Sequence, residues 1–129
     1  MDLEKYLKKN KFDKYFNRLT KKIKNKRIVI YGAGSLFQLI QKKYDLTEWN
    51  IIGISDTKYK PEDEGKEDLG YKIIPKKKIE DYEFDVLIIS LQEYIGVLCG
   101  FSESLQNKKI IVLPLVRQPF ISVLKKIWF

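Results

Sequence analysis

Apolar and polar positions follow two different periods along the chain. Leu3, Tyr6 and Leu7, then Phe12, Phe16, Leu19 and Ile23, recur at helical spacing, with lysines filling most of the positions between. Residues 2–24 therefore predict one amphipathic helix, or two broken near Asn10. A helix packed on the domain with a solvated lysine face is the plain reading; a helix for a membrane surface or an acidic partner is the other. Beyond residue 25 the pattern changes to short apolar runs with punctuation. Lys26–Tyr31 (KRIVIY) reads as a buried strand that stops at glycine, and Ser35–Tyr44 as a helix. Residues 51–55 (IIGIS) are a second strand, ending at Asp56. Residues 57–70 are polar and read as a loop or mobile flap. Tyr71–Ile74 is a short third strand stopped by Pro75, and 76–83 suits a short charged helix. Phe84–Ser90 is a strong fourth strand, 92–106 a helix, and Lys109–Leu113 a fifth strand ended by Pro114.

Strands alternating with helices predict an α/β fold, a doubly wound parallel sheet of about five strands covered on both faces. Right-handed crossovers give the order 3-2-1-4-5 most simply. The expected organisation is a basic helical appendage at 1–25, a sheet domain at 26–116, and an apolar tail at 117–129. That tail ends Trp128-Phe129 and should pack on the domain, a second subunit or a partner.

Charge sharpens this division. The chain of 129 residues has a net charge of +8. Residues 1–27 hold 11 Lys and Arg against Asp2, Glu4 and Asp13, which is 11 − 3 = +8, so the rest is neutral. The basic pI thus says little about the ligand of the core, and no nucleic acid is expected there. Apolar residues make up 44%, enough for a real core. With no histidine, a Ser-His or Cys-His triad and an H-E-x-x-H zinc site are excluded. The one cysteine, Cys99, excludes an internal disulfide and reads as a buried structural thiol. No apolar run is long enough to span a bilayer and the start lacks a signal-peptide core, so a cytoplasmic location is expected. None of the eight tyrosines has lysine four residues later, so the Tyr-x-x-x-Lys acid–base pair is missing. The expectation is a domain without complete catalytic machinery of its own.

Candidate chemistry lies at the first strand's end. Gly32-Ala33-Gly34-Ser35-Leu36-Phe37 matches the first two glycines of G-x-G-x-x-G between a strand and a helix. There a glycine permits a tight turn, and a helix N-terminus suits a phosphate. Ser35 adds a hydroxyl. Asp56 ends the second strand 22 residues after Gly34, where an acid accepts hydrogen bonds from a ribose and repels a 2′-phosphate. Phe37 stands where a third glycine belongs, and it must push the helix outward or turn its ring into the core. The crevice where the winding reverses lies between strands one and four, with Ser90 and Gln92 on its far rim; Ser90 as an ordinary helix cap is the alternative. The glycine turn itself reads either as a nucleotide cradle or as a plain connection.

The run IVIYGAGSLFQLIQ…IIGISDTKYKPEDEG…GYKIIPKKKIEDYEFDVLIIS resembles the Rossmann-like domain of bacterial surface-polysaccharide enzymes, as in the N-terminal domains of sugar-nucleotide dehydratases and amino-sugar acyltransferases. The resemblance covers about residues 26–114. In such families the domain binds NAD(P), a nucleotide-sugar or nothing known, and by position Gly32, Gly34 and Asp56 would face the nucleotide. The expected ligand is NAD or a nucleotide-sugar, and the turn and crevice readings add Ala33, Ser35, Leu36, Ser90 and Gln92 around it. The alternative is a structural or oligomerisation module of a larger glycan-biosynthesis enzyme, assembled through the N-terminal helix and the tail. An S-adenosylmethionine methyltransferase is a weaker third option, because five strands are found where seven are normally needed.

Overall fold

A computed structural model describes residues 2–118. The expected packing of Trp128 and Phe129 concerns residues outside that range. The N-terminal pattern forms two helices, α1 (Leu3–Lys9) and α2 (Phe12–Lys22). The Asp2 carboxylate caps α1 through the Glu4 N–H at 3.0 Å. Lys11, in the left-handed region at φ 52°, breaks the helix beside Asn10.

Four parallel strands form the sheet: β1 (Arg27–Tyr31), β2 (Asn50–Ser55), β5 (Val86–Ile89) and β6 (Ile111–Pro114), in the order β2-β1-β5-β6. Between β2 and β5 lie β3 (Glu67–Asp68) and β4 (Tyr71–Lys72), an antiparallel ribbon. Helices α3 (Ser35–Lys43) and α4 (Ile95–Ser104) follow β1 and β5.

The expected third sheet strand is therefore corrected. Tyr71 and Lys72 turn back onto Asp68 and Glu67, and only Ile73 reaches the sheet, as a single parallel bridge to Ile54. Its position outside β2 keeps the expected winding, but Pro75 ends it before a ladder can grow. The helix expected over 76–83 is a 3₁₀ turn at Lys76–Asp81. The segment read as a polar loop holds its own 3₁₀ turn at Pro61–Asp63 and ribbon strand β3.

Burial follows strand alternation. Ile28 and Ile30 pack with Phe12, Leu19, Ile23, Phe37 and Ile40 under α1–α3. Val29, Tyr31, Leu87 and Ile89 face Ile74, Ile79, Phe84 and Phe101 on the α4 side. All four β5 residues are buried, as a central parallel strand covered on both faces requires. The N-terminal helices belong to this core, because Phe12 and Leu19 are 1% and 2% exposed. An aromatic group locks α2 to the end of α3: Phe12 meets Tyr44 edge-on at 4.9 Å and Phe16 stacks on Trp49 at 5.3 Å.

Candidate functional site

The carboxyl ends of β1, β2 and β5 bring the sequence-predicted residues together. β1 runs directly into Gly32, whose φ of +114° suits glycine alone. A Cβ there would lie 2.7 Å from Ser90 Oγ and 2.9 Å from the Ser90 carbonyl oxygen. The Gly32 N–H donates to the Ser55 carbonyl at 2.8 Å, which ties the turn to the end of β2.

Gly34 differs in kind. Its φ of −94° is open to any residue, and nothing lies within 4 Å of a Cβ built on it. It stands at the N-cap of α3 with no side chain capping the helix. The first N–H groups of α3 have no partner inside the helix. Ser35 is exposed at the first helical position. Leu36 is 5% exposed, so only its backbone can serve a ligand. Phe37 is fully buried with its ring 6.1 Å from that of Tyr71. The ring turns into the core and leaves the turn open.

Asp56, one residue past β2, reaches back to the same turn. Its Oδ2 accepts the Ala33 N–H at 2.7 Å. Oδ1 accepts from the Lys58 N–H at 3.1 Å and the Thr57 hydroxyl at 3.3 Å. Burial pushes this carboxyl up. The hydrogen bonds from Ala33 and Lys58, with the Lys58 charge and Thr57, outweigh burial and hold it below the usual aspartate value. Asp56 is thus ionised at neutral pH. Tyr31 beside it has its phenol pushed up, first by burial and then by the Asp56 charge.

Ser90 is fully enclosed and has a structural partner. Its hydroxyl donates to the Gly32 carbonyl, and a second contact at 3.3 Å reaches the Tyr31 carbonyl. Helix α4 begins at Ile95 with Tyr94 as its cap, so the alternative of Ser90 as a helix cap is corrected: it braces the glycine turn. Gln92 is half-buried, and its carbonyl accepts from the Gln118 side chain at 3.3 Å.

Sequence reasoning missed several residues around the turn. Lys58 Nζ lies 3.2 Å from the Ala33 carbonyl and 3.9 Å from Asp68 Oδ2. Tyr59 donates to Asp68 at 2.6 Å, and the Gln41 amide donates to the Leu69 carbonyl at 2.9 Å. These bonds fold the polar segment 57–70 against α3 and put a cation beside the cradle. Only a lysine two residues after the strand-ending acid hinted at this. Ser55 is a further case: its hydroxyl is fully buried beside the turn and has no hydrogen-bond partner among the described residues.

The residues fit a nucleotide. Nothing lies within 4 Å of a Cβ built on Gly34, so there is room at the N-cap of α3 where a phosphate would have to sit. With three hydrogen bonds received, the Asp56 carboxylate keeps one acceptor position on Oδ2. Among the described residues no cluster of His, Cys, Asp and Glu could hold a metal ion, and no helix is long and apolar enough to cross a membrane.

Comparison with known proteins places the fold. The model of the family described as C2185-like, N-terminal, matches residues 24–111. No curated protein matches the chain closely enough to count as a relative. Among solved structures, RSP, a Rex-family repressor, is 17% identical with a TM-score of 0.51, over 90% of this chain and 65% of that one. RSP in complex with beta-NADH is 17% identical with a TM-score of 0.50, over 90% and 66%. UDP-D-quinovosamine 4-dehydrogenase from Vibrio fischeri is 20% identical with a TM-score of 0.47, over 78% and 85%. At such identities the likeness shows an α/β, Rossmann-like fold and nothing finer.

Proposed function

The chain belongs to the C2185-like, N-terminal family, and on its Rossmann-like scaffold we propose a binding site for a nucleotide without a 2′-phosphate, NAD or a nucleotide-sugar. One observation carries this reading: the Asp56 carboxylate lies 2.7 Å from the Ala33 amide, so the strand-ending acid and the glycine turn are one site. In this reading the amides at 34–36 hold a phosphate, Ser35 adds a hydroxyl, and Asp56 Oδ2 takes one ribose hydroxyl. An ionised Asp56 disfavours a second negative charge on that ribose. RSP has been solved with beta-NADH, and the Vibrio fischeri neighbour is named for a UDP-sugar. The sequence resemblance puts the domain in sugar-nucleotide or surface-polysaccharide metabolism.

Thermal unfolding with NAD, NADP and UDP-N-acetylglucosamine at millimolar concentration tests it. A ligand at ten times its Kd adds about 1.4 kcal/mol, which raises Tm by about 4–8 °C in a domain of this size. NAD or the UDP-sugar should give that rise, with NADP weaker than NAD. A flat response to all three overturns the proposal. It would favour the second reading, a structural module, which the Asp56–Ala33 bond also supports because it satisfies one turn amide internally.

A further inference from the structure

We propose that the lysine-rich face of the paired helices α1 and α2 docks the protein on an anionic lipid bilayer. The apolar side of both helices lies in the core, where Tyr6, Leu7, Phe12 and Leu19 are buried. The helices therefore cannot sink an apolar face into a bilayer interface, as a free amphipathic helix does. Their polar side remains, and it is built of cations. Lys5, Lys8 and Lys9 follow one another at i, i+3 and i+4 on α1. Lys14, Arg18, Lys21 and Lys22 follow at i, i+4, i+7 and i+8 on α2. All seven are exposed, and among the described residues none of them forms an ion pair.

The acids of this segment are few and engaged. Asp2 caps α1, Glu4 pairs with Lys43 at 2.5 Å, and Asp13 accepts the Tyr44 hydroxyl at 2.5 Å. Glu4 and Asp13 share a groove at the end of α3 with Lys8, Lys11 and Lys14, so charge there is mixed. Lys5, Lys9, Arg18, Lys21 and Lys22 do not line that groove. Residues 119–129 contain Lys125 and Lys126 and no acidic side chain, so they cannot offset the positive face.

A bilayer fits this face better than a nucleic acid does. Six of the seven cations are lysines, hydrated point charges without the planar fork by which arginine grips a phosphate. The rings of both helices turn inward: Tyr6 and Phe12 are buried, and Tyr15 and Phe16 pack against the same core. The cationic side thus has no ring of its own on which a base could stack. An anionic leaflet asks for neither fork nor ring. Its surface potential attracts clustered lysines within a Debye length, whatever their detailed arrangement. Attachment of this kind is electrostatic and reversed by salt. It is independent of the nucleotide site, which is built on the ends of β1 and β2.

Flotation with lipid vesicles tests the proposal. Cys99, expected from the sequence to be buried, is exposed instead, on α4 across the sheet from α1 and α2. A dye on this single thiol reports the full chain and leaves the lysine face unmodified. The labelled chain should float with vesicles holding about one-third phosphatidylserine at about 0.1 M salt, and stay behind with phosphatidylcholine alone. It should be released at about 1 M salt, where the Debye length is about 3 Å. Lys14→Gln, Arg18→Gln, Lys21→Gln and Lys22→Gln combined should lower the partition coefficient about tenfold or more. Lys5→Gln, Lys8→Gln and Lys9→Gln combined form a second variant, with a smaller drop. Both are first shown to melt like the parent, as exposed substitutions allow. No flotation, flotation indifferent to phosphatidylserine or to salt, or folded variants that float like the parent each overturn the proposal. So does tighter binding to duplex DNA than to the vesicles at equal phosphate concentration, which would make the partner a nucleic acid.

Discussion

The Asp56 carboxylate accepts the Ala33 N–H at 2.7 Å, so an acid at the end of β2 organises the turn at the end of β1. The two residues are 23 apart in sequence. Their bond fixes the charge state and the place of the group proposed to hold a ribose.

The acid's lowered pKa sets a pH dependence. The folded state binds the Asp56 proton less tightly than the unfolded chain, whose value is the ordinary 3.8. Its contribution is therefore full above that value and fades as pH falls through the lower folded one. In Asp56→Asn, urea midpoints should fall less steeply between about pH 4 and pH 2 than in the parent. Asp45, Asp63 and Asp85 are lowered as well and add to the slope in both proteins, so the difference between the two curves is the readout. Parallel curves would refute the role given to Asp56.

The two glycines of the turn should separate stability from binding. Gly32→Ala forces a side chain into a left-handed backbone 2.7 Å from Ser90 Oγ, and should cost about 2–3 kcal/mol in chemical denaturation. Gly34→Ala meets open space at an ordinary φ, so its stability should stay within about 0.5 kcal/mol of the parent. On the proposed nucleotide site, the ligand-induced rise in Tm should nonetheless shrink, because the new methyl group would stand where the phosphate is proposed to approach.

Phe37→Gly would restore the third glycine of the motif at the expense of the core. The ring is fully buried beside Tyr71. Its loss should destabilise the chain by about 3–5 kcal/mol, read from the denaturation midpoint. A mild effect would mean that α3 can approach β1 and close the gap.

Ser55 offers the opposite sign. Its buried hydroxyl has no partner among the described residues, so Ser55→Ala removes an uncompensated polar group. The unliganded chain should gain about 1 kcal/mol, seen as a higher Tm. If the hydroxyl serves a ligand, affinity should fall in the same variant, which calorimetric titration would show.

Period and punctuation in the sequence were enough for four sheet strands, expected at 26–31, 51–55, 84–90 and 109–113 and found within two residues of those bounds, and for the glycine turn between β1 and α3; they left one N-terminal helix or two as alternatives, and two are found. These are local properties: alternation or helical spacing of apolar side chains, a backbone only glycine adopts, a proline that ends a run. Tertiary structure alone decided the rest. It turned Phe37 inward, gave Ser90 to the Gly32 carbonyl, and cut the third strand to one bridge at Ile73. It laid Lys58 on the Ala33 carbonyl and put Cys99 at an exposed position of α4. Each of these depends on which groups meet across the sheet edge, and that is set by how the crossovers pack, a relation that neighbours in sequence do not encode.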